Sequence, residues 1–351
     1  MSRSRRITCA MILLAVVSAS AADRGSLLVD SYGKLLRIGT DGTVRTLAVS
    51  IGLAALSPDG QKAAFTWNED PGNPQRSSQI LSVVPSGGGT AEKVAQLPQG
   101  SHFGSLDWLP DASALVFEGE KGHLFIASLS ADGGTLRDLG PWYQGFSISP
   151  DASTIVHAVN SPNMGLEVLD IATGRRTLIH KSSRIVWGAT YSPDGKWIAY
   201  LATLRDPPRT SDDDADCTPP TIGLRVYSLI TKSDSAMTIS GAPKNWDNVK
   251  SFRWSPDSKR LALALGTTDC DYPGDAVGVF VTTIDRKVQI RASQGNMSFE
   301  PLFSPDGGSV VYVDFSDSLA RLIRYDIMSG MRTRIRQASD ENNYYHLLDW
   351  K

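Results

Sequence analysis

The chain has 351 residues, 41% of them hydrophobic and 21% charged. That is too long for one ordinary compact core, fits two or three domains or a single repeat array, and excludes wholesale disorder. With 35 Lys+Arg against 37 Asp+Glu, no basic excess exists to neutralise phosphates, which argues against nucleic acid as the partner.

The first segment is a targeting signal. Residues 2–6 read Ser-Arg-Ser-Arg-Arg, an apolar run follows from Ile7 to Val17, and Ser-Ala-Ser-Ala-Ala stands at 18–22. A basic start, a short apolar stretch and small residues at the cut predict a secretory signal peptide over 1–22. Eleven residues are too few to anchor stably in a bilayer. Three arginines leave with the leader, so the mature chain is more acidic than the formal net charge of −2. It is expected to be exported, to the periplasm or beyond, and not to span a membrane.

From residue 23 onwards one pattern recurs: an apolar run, Ser-Pro-Asp-Gly or a variant, then a second apolar run. The copies are LSPDGQKAAF (56–65), LPDASALVF (109–117), SPDASTIVHAV (149–159), YSPDGKWIAY (191–200), WSPDSKRLALAL (254–265) and FSPDGGSVVYV (303–313). Pro presets the second position of a type I turn, and Asp suits the next. The flanks are rich in Val, Ile, Tyr, Phe and Trp, as strands are. A third strand follows each copy, as in GLRVYSL (223–229), and then a turn and a fourth, as in DIATGRRTLI (170–179). A period of about 40–50 residues with four strands per repeat is that of a β-propeller blade. Residues 26–47 supply second, third and fourth strands with no first, and LLDWK (347–351) supplies a first strand. The sequence therefore predicts an all-β, seven-bladed propeller over 23–351, its blades four-stranded and antiparallel, closed by the C-terminal strand; six or eight blades are the alternatives.

These motifs resemble the WD40-like, or PD40, repeats of TolB-type β-propellers, over roughly residues 26–351. The TolB family carries an α/β domain ahead of its propeller; here only three expected strands stand between the leader and the first motif. Oligogalacturonate lyases resemble the same repeat class and use a metal held by several histidines. The resemblance implies the fold far more than a function.

No Gly-x-Ser-x-Gly elbow, phosphate loop or His-Glu-x-x-His occurs in the chain. The five histidines, His102, His123, His157, His180 and His346, fall at unrelated places in the repeats, and only His102 and His346 sit where a ring mouth is expected. The loop 204–221 holds Asp212, Asp213, Asp214 and Asp216, and the matching loop of the next repeat holds Asp269 and Asp271. Clustered carboxylates suit Ca2+, although the spacing fits no fixed calcium loop and a solvated acidic loop is the simpler reading. Cys217 and Cys270 occupy those same loops. With Cys9 lost alongside the leader, they are expected to form a disulfide.

Residues leading into the first strands share one face with the long loops. His102, Trp142, Tyr143, Arg184, Trp246, Asp247, Asn296, Tyr344 and Tyr345 are the candidates for a ligand- or partner-binding face, since aromatic and Arg side chains anchor interfaces. The function expected is an exported module that binds a protein or glycan, with no catalytic residues and no cofactor. The alternative is a metal-dependent lyase or hydrolase acting on a polysaccharide or lactone.

Overall fold

The computed structural model describes residues 25–70, 72–73, 77–129, 135–142, 145–160, 163–204, 221–239, 246, 248–267, 276–295, 297–315, 319–338 and 345–351. The leader, both acidic loops, Cys217 and Cys270 lie outside them. Among the described residues there is no α-helix, and so no helix long and apolar enough to cross a membrane.

The strands run in chain order. First come β1 (Ser26–Ser31), β2 (Lys34–Gly39) and β3 (Val44–Val49), then β4 (Ile51–Leu56), β5 (Lys62–Asn68), β6 (Gln79–Pro85) and β7 (Glu92–Gln96). Next are β8 (Leu106–Trp108), β9 (Ala114–Glu118), β10 (His123–Ser128) and β11 (Leu136–Pro141). These lead to β12 (Ser147–Ile148), β13 (Thr154–Val159), β14 (Gly165–Asp170) and β15 (Arg176–Lys181). After them stand β16 (Val186–Tyr191), β17 (Trp197–Thr203), β18 (Ile222–Ser228) and β19 (Asp234–Ala236). The last nine are β20 (Asn248–Trp254), β21 (Arg260–Gly266), β22 (Ala276–Thr283), β23 (Gln289–Arg291), β24 (Ser298–Phe303), β25 (Ser309–Asp314), β26 (Arg321–Asp326), β27 (Arg332–Gln337) and β28 (His346–Trp350).

Five sheets are four-stranded: β28-β1-β2-β3, β4 to β7, β8 to β11, β12 to β15, and β24 to β27. An eight-stranded sheet joins β16 to β19 with β20 to β23. Its two halves meet through one parallel pair, Ile222 with Asn248, and each half is itself antiparallel. The expected all-β architecture of four-stranded antiparallel sheets is therefore present. So is the closing strand: β28 pairs with β1 through Leu27–Trp350, Leu28–Asp349, Val29–Leu347 and Asp30–His346. Leu27, Val29, Leu347 and Trp350 share one buried cluster with Leu302, Val311 and Val313 of the preceding sheet.

Second strands read as near-continuous apolar runs because sheets cover both their faces; β21 is buried from Leu261 to Gly266 and β25 throughout. The turns between first and second strands are stapled by the repeat motif. In the first copy Ser57 Oγ donates to Asp59 Oδ1 at 2.6 Å, and the same carboxylate accepts the Gln61 N–H at 3.0 Å. Ser149–Asp151, Ser192–Asp194, Ser255–Asp257 and Ser304–Asp306 repeat the hydroxyl bond. These bonds hold the carboxyls of Asp59, Asp151 and Asp306 below the usual aspartate range.

The residue after Asp is left-handed in every copy: Gly60, Gly195 and Gly307, but also Ala112, Ala152 and Ser258, at φ of 58–59°. A plain type I turn would accept Ala or Ser at its fourth position. Instead the turn ends in a left-handed residue, which costs a non-glycine about 1–2 kcal/mol. Ala152→Gly should therefore stabilise the fold, by roughly 0.5–1 kcal/mol once glycine's greater unfolded entropy is subtracted. Denaturant unfolding of the variant tests it; an unchanged or lower midpoint contradicts it.

Side chains of one sheet also pin the start of the next first strand. Gln79 Oε1 accepts the Phe103 N–H at 2.8 Å. Asn160 clamps Val186 on both sides, accepting its N–H at 2.9 Å and donating to its carbonyl at 2.8 Å. Glu300 Oε2 accepts the Leu347 N–H at 2.8 Å. Arginines of outer strands reach back to the preceding sheet: Arg176 donates to Pro141 O at 2.6 Å over the Trp142 ring, and Arg332 to Ala292 O at 2.7 Å over Tyr325. Deleting residues 346–351 removes β28 and leaves the β1 edge unpaired. Burial of Leu347 and Trp350 alone contributes several kcal/mol, at roughly 1.5–3 each. The truncated chain should unfold far earlier and aggregate; a melt matching the full chain contradicts this.

Candidate functional site

First strands of successive sheets lie against one another: β20 on β24, β24 on β28, β28 on β4, β4 on β8, and β12 on β16. They therefore line the axis. Two levels of this lining carry charge.

At the end near the Ser-Pro-Asp turns, the residue three before the repeat proline is Ala55, Asp107, Ser147, Thr190, Arg253 or Leu302, and Asp349 holds that place in β28. Asp107 and Arg253 are solvent-exposed, and Asp349 is half-buried. Asp107, Arg253 and Asp349 come from three sheets that are not neighbours, yet Asp107 feels Asp349, Lys351 and Arg253 electrostatically. All three occupy one register position of first strands that lie around the axis. Asp107 is pushed up to about 6, chiefly by desolvation within the walled channel; Asp349 pushes the same way, while the Trp108 N–H, Lys351 and Arg253 oppose. Burial also raises Asp349, against Lys351, whose Nζ stands 3.6 Å from its carboxylate.

At the long-loop end, Glu300 Oε1 meets His346 Nδ1 at 2.9 Å while its other oxygen holds the Leu347 N–H. Asp30, opposite His346 in β1, is raised by desolvation, which outweighs the Gly33 N–H and His346. Glu118 at the end of β9 is raised by the same cause, against bonds from the Gly145 N–H and Ser105. Glu300 is left-handed, at φ 53°. Five residues before the proline, Gly145 and Gly188 take the same conformation at 59° and 63°. Here a glutamate carries a backbone cost of about 1–2 kcal/mol that glycine avoids at the two related positions.

Of the residues expected on this face, His102 is exposed and Arg184 half-buried, its N–H accepted by Ser182 Oγ. Trp246 is half-buried against the core of the eight-stranded sheet. Trp142 is 4% exposed and stacks on His157 at 3.8 Å between sheets; Tyr345, also 4% exposed, packs with Leu347 and Trp350. Both serve packing, because an indole or phenol at a sheet boundary buries more surface inward than a loop can offer it. Tyr143, Asp247, Asn296, Tyr344, and the metal candidates Asp212, Asp213, Asp214, Asp216, Asp269 and Asp271 lie outside the described residues. His123 pairs with Asp138 at 2.8 Å, and His180 meets Tyr200 at 3.2 Å. Sequence reasoning missed Asp107, Arg253, Asp349, Glu118 and Glu300. The first three were legible in one register: each directly precedes the Trp of a first strand. On the short-turn face a groove of about 340 Å³ lies between two sheets, lined by Lys62, Lys93, Leu129 and Leu136.

The raised carboxyl of Asp107 fixes a pH signature. Its folded-state value lies above the unfolded one, so its favourable contribution holds at low pH and is lost as pH rises through about 6. Asp107→Asn keeps the acceptor for the Trp108 N–H, 2.8 Å away in the parent, and removes the charge. The variant should melt above the parent at pH 8, and the gap should close near pH 4. Thermal melts across that range check it; a gap that persists in acid contradicts it.

No family model matches the chain, and no curated protein does. Solved structures do. TolB from Acinetobacter baumannii is similar over 90% of this chain and 78% of its own, at 16% identity and a TM-score of 0.53. The tricorn protease matches 93% of this chain but only 35% of its own, at 12% identity and 0.61. An oligogalacturonate lyase in complex with manganese matches 83% and 76%, at 12% identity and 0.55. Identities this low carry the fold alone: the chain folds as a TolB-type β-propeller.

Proposed function

We propose that the protein is an exported binding module that engages a protein or glycan through the long-loop face and the channel mouth. The observation that carries this reading is Glu300, an acidic residue in a left-handed position that glycine fills at the same place in two other repeats, its carboxylate tied to His346. Strain of that kind is kept where the side chain matters. Arg184 and His102, each leading into a first strand, would flank the mouth on that face, together with the carboxylates Asp30 and Glu118. The leader supports export. Cys217 and Cys270 would join the two long acidic loops, with Ca2+ as a ligand those loops suit.

A second reading is a metal-dependent lyase or hydrolase acting on a polysaccharide or lactone. It draws on the likeness to the manganese-bound lyase and on the carboxylate-held imidazole, the arrangement that orients a general base.

Capture of a partner from envelope extract tests the first reading. Arg184→Ala combined with His346→Gln should weaken capture more than tenfold without changing the melt. Normal capture by that variant, or its loss on substituting Lys62 and Lys93 on the other face, contradicts it. Turnover of a polysaccharide that EDTA stops would favour the second reading.

A further inference from the structure

We propose that one side of the short-turn face rests on an anionic lipid surface. Strands are antiparallel within each sheet, so the turns from third to fourth strands lie at the same end as the Ser-Pro-Asp turns. Four sheets in succession around the ring, β16–β19, β20–β23, β24–β27 and β28-β1-β2-β3, put large apolar side chains into solvent there. Ile230 is 68% exposed, Val288 48%, Met328 93%, Met331 61% and Val44 39%. Between the second and third of these sheets opens a groove of about 300 Å³, lined by Val281, Val288, Ile290 and Ile327. A base stands beside each apolar tip. Arg45 follows Val44, Lys287 precedes Val288, Arg332 follows Met331, and Lys232 lies two residues after Ile230. Arg45 and Lys232 are exposed, and neither side chain joins an ion pair among the described residues. Lys232 is left-handed, at φ 54°, where Gly174 and Gly330 stand in the equivalent turns at 72° and 70°. One backbone bond closes all three turns: Ser228 N–H to Ser233 O at 2.8 Å, Asp170 N–H to Arg175 O at 2.9 Å, and Asp326 N–H to Met331 O at 2.9 Å. Lysine bears a backbone strain at this place that glycine avoids.

The chemistry favours a lipid surface over a protein. A protein interface concentrates its affinity in a central, well-packed cluster. Here single apolar side chains stand on separate turn tips, each with a base beside it. That pattern suits a surface that dips side chains into the boundary between headgroups and acyl chains. Charge alone would not hold the protein there, because Asp41, Asp285 and Asp326 share these turns, tied to Thr43, Thr283 and Ser329. The apolar tips supply the affinity, and the bases turn it towards anionic headgroups. The groove offers an acyl chain a seat. Docked this way, the long-loop face points away from the bilayer and stays free for its own partner.

Flotation of the mature chain with vesicles tests this, comparing equal parts phosphatidylglycerol and phosphatidylcholine with phosphatidylcholine alone, at low and high salt. The chain should float with the anionic vesicles at low salt, and less at high salt. Ile230→Asp combined with Met328→Asp should cut the bound fraction more than tenfold without changing the melt. Lys232→Gly should raise the melt and still weaken flotation, which a lysine of purely structural value would not do. Arg184→Ala with His346→Gln, on the opposite face, should float as the parent does. Absence of flotation with anionic vesicles at low salt overturns the proposal. So does flotation that survives Ile230→Asp with Met328→Asp, or that is lost only with the long-loop variant. Self-association abolished by Met328→Asp, in a chain that does not float, overturns it too and assigns the face to a second copy.

Discussion

The pairing of β28 with β1 is the constraint on which the rest depends. The chain's last strand completes its first sheet, so N- and C-terminal segments share one hydrogen-bonded ladder and one buried cluster. An open array of sheets would leave the β1 edge unpaired and the apolar flank of the β24–β27 sheet wet. The closing strand does more than seal. His346, Asp349 and Lys351 all sit on it or directly after it, so both charged levels of the channel exist only when the ring is shut. Structure and site are coupled through one strand of five residues, Trp350 to His346.

Around that closure, local chemistry repeats. A hydroxyl and a carboxylate two residues apart set each short turn, and a side chain from one sheet fixes the start of the next first strand. None of these bonds is large alone, at about 1 kcal/mol net. Their value lies in register: they place first strands at a common height, so that third-from-proline residues form one level and the left-handed bulges another. Charge enters where that order is broken, with Asp or Arg before a Trp, or a glutamate in a glycine's place.

The fold was legible because its signals are periodic. Ser-Pro-Asp with apolar flanks reports a hairpin each time, and LLDWK could be matched to SLDW and SFRW by its Trp. The site was less legible. Trp142 and Tyr345 were read as surface anchors from their loop positions, but burial is decided by the neighbouring sheet, which a single repeat does not reveal. Asp107 and Arg253 look like ordinary polar residues of two strands; what sets them apart is one shared register in first strands of separate sheets, a relation between residues 146 positions apart. Glu300 is undistinguished in sequence, because left-handed backbone at a bulge is a property of pairing. Tyr143, Asp247, Asn296 and Tyr344 fall outside the described residues.

A propeller of this kind presents two ends with different chemistry, a carboxylate-rich mouth holding an imidazole and an end of mixed charge. The account rests on the claim that closure by β28 holds both together as one cooperative unit. Native-state amide hydrogen exchange at Leu28 and Leu347 tests it most directly. The account predicts that these amides exchange only through global unfolding, with the same opening free energy as Leu263 in β21 and Val311 in β25. Exchange at Leu28 and Leu347 through a local opening, while β21 and β25 stay protected, would contradict it.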